Sequence, residues 1–163
     1  MANMGRSKEQ QEFDEKVIRI SRVSKKTKGG NKMGFTALVV VGDHKGRVGV
    51  ALAHAGDVMN AIKKAVRRAK KTVVRVPLVD NRTIPHEMRV KYGAAKIIVK
   101  PAPAGTGVIA GGSVRPVLEL AGVRDVVTKT LGTNNKLTNV TAMFNALKEM
   151  QAIVSVKKTL KES

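Results

Sequence analysis

Without cysteine, chemistry in this chain would have to come from histidines, carboxylates, hydroxyls, glycine-rich backbone or cations. The run Gly105-Thr106-Gly107-Val108-Ile109-Ala110-Gly111-Gly112 lies between a strand-like and a helix-like stretch, and Asp125 follows Gly105 by 20 residues. That spacing imitates the fingerprint in which a glycine turn admits a pyrophosphate and an acid holds a ribose. Pro101 and Pro103 stiffen its entry, Pro116 interrupts the helix after it, and no further βαβ units follow. The stretch therefore predicts tight backbone packed near phosphate or a partner protein, with small-ligand binding as the alternative. No G-x-x-x-x-G-K-[ST] phosphate loop occurs. His44, His54 and His86 share no helical face or metal-ligand spacing, and the scattered acids form no pair of the kind a metal-dependent nuclease needs. Nothing in the placing of Ser, His and Asp suggests a triad. We expect no catalytic residue, no metal and no cofactor.

The cations are another matter. There are 31 Lys and Arg against 12 Asp and Glu, a net charge of +19 in 163 residues. Residues 16–82 alone hold 17 basic and 3 acidic side chains, a net of +14. Compact structure at that density repels itself unless a polyanion supplies counter-charge, so this segment asks for nucleic acid. Two clusters stand out. The glycine-bearing run Lys25-Lys26-Thr27-Lys28-Gly29-Gly30-Asn31-Lys32 packs four lysines into eight residues, and Gly29 and Gly30 free the backbone to approach a surface. Arg19 and Arg22 precede it on a strand. Lys63, Lys64, Arg67 and Arg68 form a second cluster on a helix; a charged outer face is what any amphipathic helix shows, so they rank second. Aromatic residues are only 2% and Trp is absent, so single-strand readers built on stacking platforms are disfavoured. Folded or double-stranded nucleic acid, held by its phosphates, fits better.

These groups need elements to hold them. An apolar content of 42% supports one domain or two small ones. Residues 1–14 are polar and aperiodic, a flexible N-terminus by expectation. The spacing predicts a strand from Glu15 to Ser24, a loop over Lys25–Lys32, a buried strand from Phe35 to Val41, a turn at Asp43-His44-Lys45-Gly46 and a third strand from Arg47 to Ala53. Asp57 is the expected N-cap of a helix whose Val58, Ala61, Ile62, Ala65, Val66 and Ala69 share one face. This closes a first domain over 15–76. A connector (77–85) leads to paired strands at 86–92 and 95–100, the glycine-rich loop, and a short helix from Ser113 to Ala121. A strand from Val123 to Leu131 and a helix from Asn134 or Asn135 to Met150 follow, making a second domain over 77–150. Residues 151–163 form a basic tail. No apolar run is long enough to span a bilayer and the N-terminus lacks a signal-peptide core. The Ala-rich stripe of the basic helix also lacks the Trp, Phe and Leu of a membrane-surface helix. A cytosolic protein with no membrane partner is the expectation.

The segments Arg22–Gly30, Phe35–Asp43, Gly46–Gly49, Gly105–Gly112 and Val117–Val123, in this order, resemble the bacterial-type family of the fifth protein of the small ribosomal subunit. The similarity runs from about Glu15 to Met150. It implies an α+β fold of two small domains: a double-stranded-RNA-binding-like domain, three antiparallel strands and one helix, then a C-terminal α/β two-layer sandwich. It further implies a cytoplasmic, ribosome-bound, non-enzymatic protein that binds small-subunit ribosomal RNA and serves assembly, translational accuracy and the messenger entry path. The fourth and eighth small-subunit proteins would be its neighbours. The RNA-contact residues expected are Arg19, Arg22, Lys25, Lys26, Lys28, Gly29, Gly30 and Lys32, then Lys63, Lys64, Arg67 and Arg68. Gly107 and Arg115 match the stretch facing the fourth protein. The family's glycine- and lysine-bearing stretch after the third strand is replaced by Ala51–Gly56, and its helical proline by Met59. A free-standing double-stranded-RNA-binding factor is the alternative.

Overall fold

The computed structural model describes the backbone of residues 13–162 and the side chains of 13–154. Four strands, β1 (Asp14–Thr27), β2 (Gly30–Gly42), β3 (Arg47–Ala55) and β4 (Val74–Arg75), form an antiparallel sheet in that order. The helix α1 (Val58–Lys71) joins β3 to β4. A second sheet, order β5-β6-β8-β7, is built from β5 (Met88–Tyr92), β6 (Ala95–Pro101), β7 (Val108–Ile109) and β8 (Val126–Leu131). In it only β7 runs parallel to its neighbour. Two helices complete it, α2 (Arg115–Leu120) and α3 (Lys136–Glu162). The result is the expected α+β pair of domains, with the small β4 added to the three-stranded sheet.

The unbroken apolar run of β2 has a simple cause: both faces of the first sheet are covered. Ala37, Val39 and Val41 meet Ala61, Ala65 and Ala69 of α1, a stripe small enough to seat the helix closely. Leu38 and Val40 point the other way, into a core shared with Val117, Leu118 and Val123 around α2 and with Met143 and Leu147 of α3. The two domains thus share one core cluster. Their backbones also touch: His44 and Gly46 N–H donate to the carbonyls of Leu120 and Ala121, each at 3.0 Å. A Cβ at Gly42 would press into the Leu120 carbonyl, and one at Gly122 into the His44 carbonyl, well inside van der Waals contact. Across the same joint, Glu119 takes Arg115 Nε at 2.7 Å and Lys16 Nζ of β1 at 3.4 Å. His44 Nδ1–H donates to the Glu119 carbonyl at 2.8 Å, while its Nε2 lies 3.1 Å from Asp14.

Several expectations need correction. Lys25–Lys32 is not a loop: strands run to Thr27 and resume at Gly30, leaving Lys28 and Gly29 as the turn. Alternation had weakened there because every side chain from Arg22 to Met33 is exposed, so no buried face imposes a period. Ser113 does not cap α2, which starts at Arg115 with Val114 at its N-cap. Asp57 holds its cap position without a side-chain hydrogen bond. The strand expected from Val123 starts at Val126. Val123 is held instead by the turn that ends α2, where Val123 N–H reaches the Leu118 carbonyl and Gly122 N–H that of Glu119. Asn135 opens α3 by accepting Leu137 N–H at 3.1 Å. That helix continues past Met150 because nothing from Gln151 to Glu162 is Gly or Pro, so the expected tail is helical backbone. Of the expected flexible N-terminus, 1–14, residues 1–12 lie outside the described residues. Its last two, Phe13 and Asp14, are placed, Phe13 beneath the Arg47 guanidinium at 4.9 Å.

Candidate nucleic-acid interface

β1 and β2 extend beyond the rest of the sheet. β3 pairs with β2 only from Phe35 to Gly42, whereas β1 follows β2 out to Thr27 and Gly30. The pairs from Val23·Gly34 to Thr27·Gly30 therefore form a free two-stranded arm, five residue pairs or about 17 Å long at roughly 3.3 Å per residue.

Which way its cations point is decided by one irregularity. Val17 pairs with Val39 but Arg19 pairs with Leu38, so Ile18 is an extra residue and the alternation of β1 slips by one. Residues opposite each other in an antiparallel ladder share a face. Arg19, paired with Leu38, thus lies on the face turned away from α1, and so do Lys25 and Lys32, which oppose each other directly. Arg22 and Lys26, paired with Phe35 and Asn31, lie on the α1 face. Arg22 donates from Nη2 to Met33 Sδ at 2.7 Å. Lys28 and Gly29 form the tip. Both faces of the arm are cationic, and neither carries an apolar stripe continuous enough to lie against protein. Among the described residues none of these Lys or Arg side chains pairs with a carboxylate.

Two shallow grooves flank the arm on the face away from α1. One is lined by Lys25, Thr27, Lys32, Gly34 and His54. The other, sharing Val23 with it, is lined by Arg19, Ser21, Thr36, Leu52 and the start of α3 at Asn135 and Leu137. On the opposite face, Lys63, Arg67 and Lys70 of α1 line a groove with Glu15 of β1. Lys70 was missed by sequence reasoning, although its place at i+7 from Lys63 carries the signal.

The other half of the helix cluster does something different. Lys64 Nζ donates to the His54 carbonyl at 3.1 Å, Arg68 Nη1 to that of Leu52 at 3.3 Å, and Thr72 Oγ1 to that of Val50 at 3.2 Å. β3 pairs with β4 only at Arg47 and Val48, so these carbonyls line an open edge. Four helical residues rise about 6 Å and two strand residues about 6.8 Å, so one donor per turn meets every second carbonyl. Lys64 and Arg68 guard an edge strand, which lessens their availability to an outside anion. Lys63 and Arg67 are not so engaged.

The glycine loop is also explained. Asp125, 3% exposed, accepts Gly105 N–H and Gly107 N–H at 3.0 Å each through Oδ1. Its Oδ2 lies 3.4 Å from Arg82 Nε, close enough for charge attraction without a well-aimed hydrogen bond. Arg82 in turn accepts Arg124 and Asp125 N–H at its carbonyl. The acid that imitated a ribose holder is consumed in bracing the loop. Arg115 is exposed and tied to Glu119, and Gly107 leads into Ile109, which is 52% exposed beside Val127.

Two carboxylates near the joint are perturbed. Hydrogen bonding from Arg115, opposed by partial burial and aided by the Lys16 charge, holds Glu119 below the usual carboxylate range. Burial pushes Asp43 up, but hydrogen bonds from the Arg47 side chain and from the Lys45 and Arg47 N–H groups outweigh it and leave it below that range. Among the described residues, no three His, Asp or Glu side chains gather as a metal centre, and no helix is long and apolar enough to cross a membrane.

Comparison with known proteins matches residues 13–77 to the family described as ribosomal protein S5, N-terminal domain, and residues 90–159 to ribosomal protein S5, C-terminal domain. The chain is 51% identical over 140 residues to the small ribosomal subunit protein uS5c of Cyanophora paradoxa, covering 86% of this chain and 83% of that one. It is 50% identical over 149 residues to the uS5 protein of Nostoc punctiforme, covering 91% and 85%. The uS5 protein of Gloeobacter violaceus is 48% identical over 151 residues, 93% of this chain and 68% of its own.

Proposed function

Because this chain belongs to the ribosomal protein S5 family, structural proteins of the small ribosomal subunit, we propose that it works by inserting the β1–β2 arm into small-subunit ribosomal RNA. The observation that carries this reading is the two-faced distribution of cations on the arm. Lys25 and Lys32 present charge on one face, Lys26 on the other, and Lys28 with Gly29 and Gly30 at the tip, while Arg19 and Arg22 extend the two faces at the base of the arm. A ribbon charged on both faces suits a crevice with phosphates on either side better than a single flat surface. The directly opposed Lys25 and Lys32 repel across the ladder, and a phosphate between them relieves the repulsion. Lys63 and Arg67 add a second phosphate contact; Lys64 and Arg68 contribute less, being turned to the β3 edge.

The C-terminal domain is the protein-facing half. The exposed Ile109 and Val127, opposite each other on neighbouring strands close to Gly107, offer an apolar patch suited to the fourth small-subunit protein, with the exposed Arg115 of α2 as a separate charged contact. The eighth is a further proposed neighbour. The shared core and the close joint between domains would let the chain hold RNA and neighbouring proteins in one relative orientation, serving assembly, decoding accuracy and the messenger entry path.

Sedimentation of cell extract at low and moderate salt, with this chain quantified by mass spectrometry, tests the reading. Stoichiometric migration with small subunits after the salt wash is expected. Free migration, or salt-labile scatter over all RNA, refutes it. Arg115→Glu should weaken docking of the fourth protein and leave RNA affinity intact; loss of RNA affinity would overturn that division of labour.

A further inference from the structure

Among the methionines of the described residues, Met143 and Met150 are fully buried and Met88 is half-buried, whereas Met33 and Met59 are 49% and 60% exposed. The two exposed sulfurs keep different company. Met59 lies in the first turn of α1, where among the described residues no hydrogen bond reaches it. Met33 lies within the arm, on β2 opposite Ser24 and on the α1 face. Its diagonal neighbours across the ladder are Arg22 and Lys26, and Arg22 Nη2 donates to its Sδ at 2.7 Å. A thioether is a weak acceptor, so a phosphate oxygen outcompetes it for the guanidinium. While the sulfur is reduced, the contact parks Arg22 without withholding it. Met33 also belongs to neither core cluster, so a change at its sulfur alters the surface of the arm and leaves the packing intact.

We propose that Met33 is an oxidation site that loosens the grip of the arm on RNA. The inference rests on the reading of the arm as the RNA-inserting element. Hydrogen peroxide is the oxidant. A lone pair of Sδ attacks one peroxide oxygen, the O–O bond breaks, and the departing hydroxide takes the proton left on the transferred oxygen. The sulfur is oxidised by two electrons to the sulfoxide and the peroxide is reduced to water. The new oxygen is a strong acceptor set between two cations, and its hydrogen bond with the Arg22 guanidinium is charge-assisted. Arg22 is then held along the arm and withdrawn from phosphate on the α1 face. RNA seated on the arm covers the sulfur, so the unassembled chain is the form that responds. A methionine sulfoxide reductase reverses the step, two thiols giving a disulfide and the oxygen leaving as water.

The test treats the full chain with graded hydrogen peroxide and maps sulfoxides residue by residue by mass spectrometry. Binding to in-vitro-transcribed small-subunit ribosomal RNA is then measured over a range of salt. Met33 and Met59 should oxidise well before Met88, Met143 and Met150. A hydrogen bond to an ionised group is worth about tenfold in an equilibrium, so the treated chain should bind about tenfold more weakly. The slope of log affinity against log salt should fall by about 0.9 as one phosphate contact is lost. Methionine sulfoxide reductase with dithiothreitol should restore both. Met33→Leu keeps every other methionine and should bind like the unaltered chain before and after peroxide, while Met59→Leu should stay sensitive. Complete Met33 sulfoxide with unchanged affinity, or an equal loss of affinity in the Met33→Leu chain, overturns the oxidation site and leaves the arm standing. If the untreated chain fails to bind the RNA at all, the RNA reading fails and this inference with it.

Discussion

Replacing Gly122 by Ala tests whether the two domains are truly locked. Gly122 has φ 85°, the left-handed region, where an L residue costs about 1–2 kcal/mol. The new Cβ would also have nowhere to go, since the His44 carbonyl and the Lys45 N–H crowd the site and both are backbone. To make room the β2–β3 turn must back away, which sacrifices the bonds from His44 to Leu120 and from Gly46 to Ala121. Each is worth about 1 kcal/mol net, so the expected loss is about 3–4 kcal/mol. Gly93→Ala supplies the control: its φ of 56° carries the same conformational penalty, but nothing lies within 4 Å of the added Cβ. It should cost only that penalty, about 1–2 kcal/mol. Urea unfolding followed by far-ultraviolet circular dichroism, in enough salt to screen self-repulsion, reads both. Equal costs for the two variants would show that the joint yields freely, and the rigid coupling between domains would be refuted.

Lys63→Ala with Arg67→Ala should lower the RNA salt slope by about 1.8, whereas Lys64→Ala with Arg68→Ala should change it less and raise self-association in light scattering as the β3 edge opens; the reverse pattern would refute the assignment of the helix faces. Glu119 and Asp43 both titrate below their ordinary values when folded. Their contribution is therefore present above the unfolded carboxylate values and lost as pH falls through the folded ones. Glu119→Gln with Asp43→Asn should flatten the loss of stability between neutral and acid pH, and an unaltered acid profile would count against the joint as its source. Asp125→Ala should cost about 2 kcal/mol and speed amide exchange at Gly105 and Gly107, which lose their acceptor; unchanged exchange at both would show the loop braced by something else.

The excess of cations, its concentration in residues 16–82, the α1 stripe and the order of elements were all legible in the chain, because composition and periodicity are local properties. So was the burial of β2, because an unbroken apolar run needs cover on both faces. The direction of the arm's cations was not legible, for it hangs on one extra residue at Ile18, and a slip of one in a strand sends every later side chain to the other face. Lys64 and Lys63 are neighbours of one type, yet the first caps a strand edge and the second faces a groove, a difference set by where β3 lies against α1. Asp125 stood 20 residues from Gly105 for a reason that sequence spacing could only misattribute. Composition supplied the charge and local pattern the strands and helices; the register of β1 on β2 and the packing of one domain on the other decided which charges remained to meet a partner, since those depend on contacts between residues far apart in the chain.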